Sequence, residues 1–556
     1  MTMPPSPLRK DHTHPADLSG HARGTGATRT QRPRYVDRLP PCNAACPAGE
    51  DIQGWLGLAQ AGHFEAAWRV LVRDNPLPAV HGRVCYHPCE SACNRAEVDA
   101  AVSVHAVERF LGDRAIAKGW KLDPPPPPPP GSARRRVLVV GAGPSGLSAA
   151  YHLARMGHEV EVRDGAPVAG GMLQYGIPAY RLPRAELAAE VRRIEELGVR
   201  FVLGARVDDV AAARARGRFD AVFVAVGAHL SKRVDLPSRD AGKVLDAVTY
   251  LHDASEGRAP TLGRRVAVYG GGNTAMDAAR TAQRLGAEEA LIIYRRDLAH
   301  MPAHPSEAAE ATTEGVKIHW LRTIHAIEGA QIHVERMALD ARGVPQPTGE
   351  LETLEADALI LALGQDSESA CLSGLPAVLR KPDGTVQVDS AMMTGEPGVF
   401  AGGDMVPSER TVTVAVGHGK RAAKHIDAFL RGTTHSPPPK HPGVTADKLH
   451  TWFSTDADAR RERALSADER LRAAYAFEEV VSGLGEPEAR FEAARCFSCG
   501  NCFECDGCYA ACPEQAIVKL GVGRRYRFDF ERCTGCAVCF EQCPCHAIEL
   551  IAEEGA

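Results

Sequence analysis

Between residues 134 and 432, short β-branched and aliphatic runs alternate with stretches of helical periodicity. Val137-Leu-Val-Val, Val160-Glu-Val, Ala221-Val-Phe-Val-Ala-Val, Val266-Ala-Val-Tyr, Ala290-Leu-Ile-Ile-Tyr and Ala358-Leu-Ile-Leu-Ala-Leu read as buried strands. Strands spaced by helices predict parallel α/β sheets. Upstream, Ile52-Gln-Gly-Trp-Leu-Gly-Leu and His63-Phe-Glu-Ala-Ala-Trp-Arg-Val-Leu carry the apolar spacing of helices. Pro124 to Pro130 form a stiff polyproline II linker, and Ser436-Pro-Pro-Pro-Lys-His-Pro a second one. Residues 445–495 read as helical and highly charged; the last sixty are short, Cys-rich and punctuated by Pro.

The pattern predicts several domains. Residues 1–34, rich in Pro, Thr, Arg, Gly and His, are expected to be disordered. An α-helical domain follows over 35–122 and a linker over 123–132. Two nested Rossmann-like α/β domains come next: a discontinuous one over 133–238 and 355–432, and one over 239–354. Linker and helices fill 433–495, and a small α+β domain 496–556. A length of 556 residues accommodates this number of domains.

Composition removes some alternatives. The formal charge of −5 gives no electrostatic case for nucleic acid or an anionic membrane surface. No apolar stretch approaches the roughly 18 residues of a membrane span. The first 34 residues lack the apolar core of a secretory signal, so a cytoplasmic protein is expected. Of 17 cysteines, five lie between Cys42 and Cys93 and eleven between Cys496 and Cys545. Clustered CxxC spacing in a reducing compartment points to metal and not to disulfides. Only Cys371 falls between the groups, so the redox dithiol of a flavin disulfide reductase is missing.

Two glycine-rich strand–turn–helix units repeat. In Val140-Gly-Ala-Gly-Pro-Ser-Gly, Gly141 serves the tight turn, Gly143 the approach of a pyrophosphate and Gly146 helix–strand packing, with Pro144 and Ser145 opening the helix. Asp164, 23 residues after Gly141, can accept from a ribose hydroxyl. FAD is expected here: Gly171, Met172 and Leu173 offer open backbone to a flavin. Far downstream Gly403 and Asp404, then Thr411 and Val412, are further candidate contacts. In the second unit Gly270, Gly272 and Ala275 take the three small-residue positions, with Asn273 and Thr274 at the helix start. The next strand ends in Arg295-Arg296, two guanidinium groups able to pair with a 2′-phosphate, so NADPH is expected over NADH.

The tail holds two Cys-x2-Cys-x2-Cys-x3-Cys-Pro runs. Cys502, Cys505 and Cys508 with Cys543, and Cys533, Cys536 and Cys539 with Cys512, are expected to hold one [4Fe–4S] cluster each; zinc is the competing metal. Cys496 and Cys499 extend the rhythm upstream, so the first frame could slip, and Cys545 is left over. Spacing leaves these three as structural thiols or as ligands of another metal. In the N-terminal group, Cys42-x3-Cys46-Pro and Cys85-x3-Cys89-x3-Cys93 supply either one four-iron cluster with a spare thiol or buried unligated thiols.

Asn75-Pro-Leu-Pro-Ala-Val-His-Gly-Arg-Val-Cys, His87-Pro-Cys-Glu, Val107-Glu-Arg-Phe, Gly171-Met-Leu-Gln-Tyr-Gly-Ile-Pro, Tyr294-Arg-Arg and Ala415-Val-Gly-His-Gly-Lys resemble the small subunit of NADPH-dependent glutamate synthase and its relatives. These include the electron-entry half of dihydropyrimidine dehydrogenase and NADPH:ferredoxin oxidoreductases. The tail from Cys496 is similar to the ferredoxin-like subunit of 2-oxoacid:ferredoxin oxidoreductases. The resemblance implies two N-terminal clusters. One would use Cys46, Cys85, Cys89 and Glu108. The other would need Cys42, Cys93 and an upstream CxxC pair whose places here fall at about Arg34 and Asp37, neither a thiol. One N-terminal cluster is therefore expected, about twelve irons in all.

The resemblance implies an oxidoreductase passing electrons between NADPH, FAD and [4Fe–4S] clusters, with ferredoxin or a large catalytic subunit as partner. Hydride chemistry belongs to the cofactors, so no acid–base residue is assigned. The alternatives are the reducing subunit of a glutamate synthase and, from a different class, a redox sensor or scaffold.

Overall fold

The computed structural model describes residues 29–125, 134–232, 238–239, 243–451, 454–461, 463–464, 469, 476–521 and 523–553. Most of the expected disordered N-terminus, and residues 126–130 of the polyproline run, lie outside the described residues. Two compact units emerge. The larger comprises 41–440 and 456–496; the smaller comprises 1–40, 441–455 and 497–556.

In the larger unit, six short apolar runs become parallel strands. The first sheet runs Val399–Ala401, Ala221–Val224, Arg136–Val140, Glu159–Arg163, Arg200–Val202 in spatial order. Its first strand comes from far down the sequence. The second sheet runs Lys317–Trp320, Glu289–Tyr294, Arg265–Tyr269, Ala358–Leu361, Lys243–Asp246. Central strands are buried on both faces, which is why they read as continuous apolar runs. An antiparallel sheet of Arg322–Glu328, Gln331–Leu339 and Pro345–Glu355, absent from the sequence reading, is attached.

Helices Ile52–Gln60, Phe64–Val72, Pro78–Val84 and Val104–Lys118 build the N-terminal part of this unit around Trp55, Trp68, Leu71 and Leu111. Their docking onto the first sheet is specific. Helix Pro144–Arg155 caps the open end of Phe64–Val72: Tyr151 Oη donates to the Val72 carbonyl at 2.5 Å, Arg155 to Arg73 at 3.2 Å and His152 to Asp74 at 3.3 Å. The buried Glu190 carboxylate accepts from the Ala79 and Val80 amides at the other end of the bundle. Helix Val412–Leu430 completes the join. A Cβ at Gly417 would collide with the Pro47 carbonyl and one at Gly419 with the Ser145 carbonyl. Lys420 Nζ donates to the Ala48 and Gly49 carbonyls at 2.9 and 2.8 Å and pairs with Asp74 at 2.7 Å.

The expectation of helix throughout 445–495 is corrected. Among the described residues this stretch is mostly irregular, with helix Glu486–Ala494 and a short pairing of Arg463–Ala464 with Val481–Ser482. Its charge is spent on the helical part: Arg461 pairs with Glu90 at 3.1 Å and Glu479 with Arg83 at 2.8 Å.

The smaller unit corrects the expected disorder at 31–34. Gln31–Tyr35 is a strand, antiparallel to Ile548–Ala552 with Gln31 opposite Ala552 and Tyr35 opposite Ile548. Arg29 holds Glu553 through two bonds of 2.8 and 2.9 Å, Arg34 pairs with Glu549, and the Tyr35 ring stacks on Phe528 at 4.7 Å. Helices Gly507–Ala511 and Val538–Glu541 and the strand pair Ile517–Lys519 with Tyr526–Phe528 complete it.

Candidate functional site

Strand Arg136–Val140 ends at Gly141, whose φ of +107° only glycine adopts readily. A Cβ there would collide with the Ala225 carbonyl, and one at Gly146 with the Gly141 carbonyl. The turn therefore closes tightly enough to point the start of helix Pro144–Arg155, capped by Gly143, into an open cleft. Free amides and the positive end of a helix suit a pyrophosphate. The Ser145 hydroxyl is buried with no hydrogen-bond partner among the described residues, an orphan that a phosphate oxygen would satisfy. Asp164 accepts from the Ala142 and Ala166 amides at 2.6 and 2.8 Å and faces the same cleft. Gly170 donates to the Ala142 carbonyl at 2.8 Å, folding Gly171 and Met172 over the loop. Gly403, Asp404, Thr411 and Val412 line the opposite wall. Burial pushes the Asp404 carboxyl up to about 6, against the pull of Arg410.

The second loop repeats the construction. A Cβ at Gly270 would collide with the Ala362 carbonyl and one at Gly271 with the Tyr294 ring, whereas Gly272 faces open space and caps helix Asn273–Arg284. Gly270, Gly272, Asn273, Thr274, Arg295 and Arg296 line the same cleft as the first loop. Neither arginine is paired to a carboxylate among the described residues, and Arg296 Nε is buried without a partner. The cleft measures about 1730 Å³, against the roughly 300–1,000 Å³ typical of a site for one small ligand. It has room for two nucleotide cofactors.

Three residues expected to touch cofactor do not line this cleft. Gly146 lies beneath Gly141, and Leu173 and Ala275 are core residues of the two sheets. Their contribution is packing. The sequence reading missed Tyr86, Arg181 and Asp277, which line the cleft where the helical part meets both sheets. Tyr86 stacks on His304 at 4.6 Å, and Arg181 pairs with Asp277 at 2.7 Å and with Glu307. Each sits within or beside a glycine- or cysteine-bearing motif, but only the fold brings them together.

Cys46, Cys85 and Cys89 converge with Glu108. Burial and the neighbouring Glu108 push the Cys85 thiol up to about 12; burial raises Cys46 and Cys89 further. Burial, with Glu50 close by, also raises Glu108. Asn75 Nδ2 spans Glu108 and Glu50 at 2.8 and 2.9 Å. Buried thiols and a buried acid that resist losing protons in isolation are a donor set that iron would stabilise in its charged form. Cys42 and Cys93 pack against the helical core. Cys85 also adjoins the cleft: Val84 and Tyr86 line it, and Thr413 Oγ1 donates to Cys85 Sγ at 3.0 Å.

In the smaller unit the thiols fall into two sets. Burial, with Cys502, Cys543 and Cys505 close by, pushes the Cys508 thiol up to about 11, and burial, with Cys533, Cys512 and Cys536 close by, pushes Cys539 up to about 12. Cys545 lies with the first, its sulfur 3.9 Å from that of Cys543. Amide donors already point at sulfur: Ala516 to Cys512, Gly535 to Cys533 and Ala547 to Cys543, at 3.2–3.4 Å.

Comparison with known proteins agrees with this layout. Residues 135–419 match the pyridine nucleotide-disulphide oxidoreductase family, 28–120 the 4Fe-4S domain II of dihydropyrimidine dehydrogenase, and 501–547 a 4Fe-4S dicluster domain. The NADP(+)-dependent formate dehydrogenase subunit beta of Moorella thermoacetica is 37% identical over 535 residues, covering 87% of this chain and 74% of that one. The chain belongs to the glutamate synthase small-chain-like FAD/NADPH oxidoreductases. Within this family, the NADPH-Fe(3+) oxidoreductase subunit beta of Geobacter sulfurreducens is 33% identical, covering 84% of this chain and 76% of the relative. The glutamate synthase [NADPH] small chain of Azospirillum brasilense is 32% identical, covering 72% and 88%. Like these small-chain-like oxidoreductases, the protein combines an FAD/NAD(P)-binding region with 4Fe-4S domains. Cys371 is the one cysteine within the segment matched to the pyridine nucleotide-disulphide oxidoreductase family. Among the described residues no helix is long and apolar enough to cross a membrane.

Proposed function

We propose that the chain is the electron-input subunit of a larger oxidoreductase: it takes electrons from NADPH and delivers them singly to ferredoxin or to a large catalytic subunit. Bound FAD would supply the hydride acceptor for the nicotinamide and a one-electron donor to iron–sulfur clusters. The chain supplies the rest. The Gly143 and Ser145 amides and the Ser145 hydroxyl would hold the flavin nucleotide's phosphates, and Asp164 its ribose. Gly272, Asn273 and Thr274 would hold the second pyrophosphate, and Arg295 and Arg296 the 2′-phosphate that separates NADPH from NADH. Cys46, Cys85, Cys89 and Glu108 would hold the N-terminal cluster, and the two tail sets one cluster each.

The observation that carries this reading is Cys85. It sits between two cleft-lining residues and accepts from Thr413, next to cleft-lining Val412. A hydride site and a one-electron outlet therefore share a wall. Relatives named as β subunits of a formate dehydrogenase and of a ferric reductase align over more of the chain than the glutamate synthase small chain does. That favours a large oxidoreductase partner of their kind over a glutamate synthase. Under anaerobic conditions NADPH should bleach the flavin and reduce a viologen dye or ferredoxin. Replacing Arg295 or Arg296 singly by alanine should raise KM for NADPH about 10–100-fold, at about 1.5–3 kcal/mol for one lost charged hydrogen bond, with little change for NADH. Bleaching without onward reduction of any acceptor would sink the proposal.

A further inference from the structure

Asn75 opens the run Asn75-Pro-Leu-Pro and is fully buried. Its backbone amide donates to the Leu71 carbonyl at 3.1 Å, at the end of helix Phe64–Val72. Its side-chain oxygen accepts from the Leu77 amide at 3.0 Å, and that bond decides the orientation of the carboxamide. Nδ2 therefore faces away from Leu77, among acceptors: Glu108 Oε1 at 2.8 Å, Glu50 Oε1 at 2.9 Å and His81 Nδ1 at 2.7 Å. Three acceptors crowd a nitrogen that carries two hydrogens.

The elements on either side of this amide are held close. Helix Pro78–Val84 starts three residues after Asn75, and helix Val104–Lys118 carries Glu108. Their backbones touch: a Cβ at Gly82 would collide with the Arg109 backbone and one at Gly112 with the Ala79 amide. Glu108 is 5% exposed, and two further acids, Glu50 and Glu190, are buried near it. Among the described residues Asn75 is the one hydrogen-bond donor to the Glu108 carboxylate, and it takes Oε1. Oε2 is the oxygen left for a metal.

Thiolates are soft ligands suited to iron–sulfur clusters, whereas a carboxylate is a harder and weaker partner for such iron. A group that orients a ligand from outside the metal's own shell contributes about 10–100-fold in metal affinity. We infer that Asn75 is a positioning residue: it holds the Glu108 carboxylate by one oxygen so that the other serves as the fourth ligand beside Cys46, Cys85 and Cys89. The amide at 75 and the acid at 108 work as a pair. The inference rests on the proposed electron-input role only in taking these four residues for a ligand set.

Asn75→Asp keeps the shape of the side chain and its bond to the Leu77 amide, and places an acceptor where the donor stood. In the full chain, purified anaerobically, it should weaken the hold on one iron about 10–100-fold. Ferricyanide, one equivalent per cluster, removes one electron from [4Fe–4S]²⁺, which then yields [3Fe–4S]⁺ and a free Fe²⁺. Asn75→Asp should give the [3Fe–4S]⁺ EPR signal in excess over the wild type, with about one extra iron released per chain and the flavin still bound. Adding Glu108→Cys to Asn75→Asp supplies a thiolate that needs no amide, and should return signal and iron to the wild-type level. A purely structural role for Asn75 would not be repaired this way. Asn75→Leu, of similar size, repeats the test without an added charge if the aspartate variant loses its flavin. Equal signals in the wild type and the Asn75 variants overturn the inference, and so does a failure of Glu108→Cys to repair them. A wild-type chain with only about eight irons removes the N-terminal ligand set itself, and the inference with it.

Discussion

At the scale of single residues, the chain is tied together where Lys420, Asp74 and His152 meet. Lys420 satisfies two carbonyls and a carboxylate, while His152 donates to the Asp74 carbonyl from a fully buried position. Burial, then the nearby Lys420 and Arg155, hold His152 well below the usual histidine range, so it is neutral when folded. Below about pH 6.5 the unfolded chain takes up a proton here that the folded chain refuses. Stability from this residue is therefore present above pH 6.5 and is lost as pH falls, at about 1.4 kcal/mol per pH unit. Urea unfolding at pH 7, 6 and 5 should show the decline, and His152→Gln should remove this component of the slope. An unchanged slope in the variant would reject the assignment. Glycines and cysteines were readable because their chemistry fixes their spacing. Ser145's orphaned hydroxyl, Arg181 and Lys420 depend on partners distant in sequence, so no local pattern announces them.

At the scale of elements, helix Val412–Leu430 shows why a motif can be legible before its reason is. Ala415-Val-Gly-His-Gly-Lys marks a family by resemblance, but only the structure explains it. Gly417 touches the backbone at Pro47 and Gly419 the backbone at Ser145, so one helix grips the helical part and the flavin-loop helix together. Gly417→Ala should force those backbones apart at about 1–3 kcal/mol. It should lower the thermal midpoint and slow passage of electrons from flavin to viologen more than flavin reduction by NADPH; an equal effect on both steps would contradict this role. The buried parallel strands were legible because both faces are apolar. The antiparallel sheet was not: Pro345–Glu355 is almost wholly exposed and Gln331–Leu339 buries only alternate residues, so neither makes an apolar run. Gln31–Tyr35 escaped notice for the same reason. Its sequence, Gln-Arg-Pro-Arg-Tyr, is polar, and what makes it a strand is a partner over 500 residues away.

At the scale of the whole molecule, each unit gathers distant parts of the chain. The first sheet waits for Val399–Ala401, and the smaller unit joins residues near 31 to residues near 552. Deleting Gln31–Tyr35 should strip the Tyr35 ring from Phe528 and its hydroxyl from Cys508, 3.4 Å away. About eight irons of the tail pair should be lost or become oxygen-labile, with flavin content unchanged. Retention of stable iron would show the strand to be dispensable. The pairing of Gln31 with Ala552 also carries a consequence for biogenesis. Translation at roughly 5–20 residues per second keeps the early strand waiting about half a minute to two minutes for its mate. Until the ribosome releases the late strand, the early one offers an unpaired edge to other chains. Maturation of the tail clusters is thereby deferred until Ile548–Ala552 has been made, and scaffolds that deliver iron and sulfide would meet this unit complete only after that.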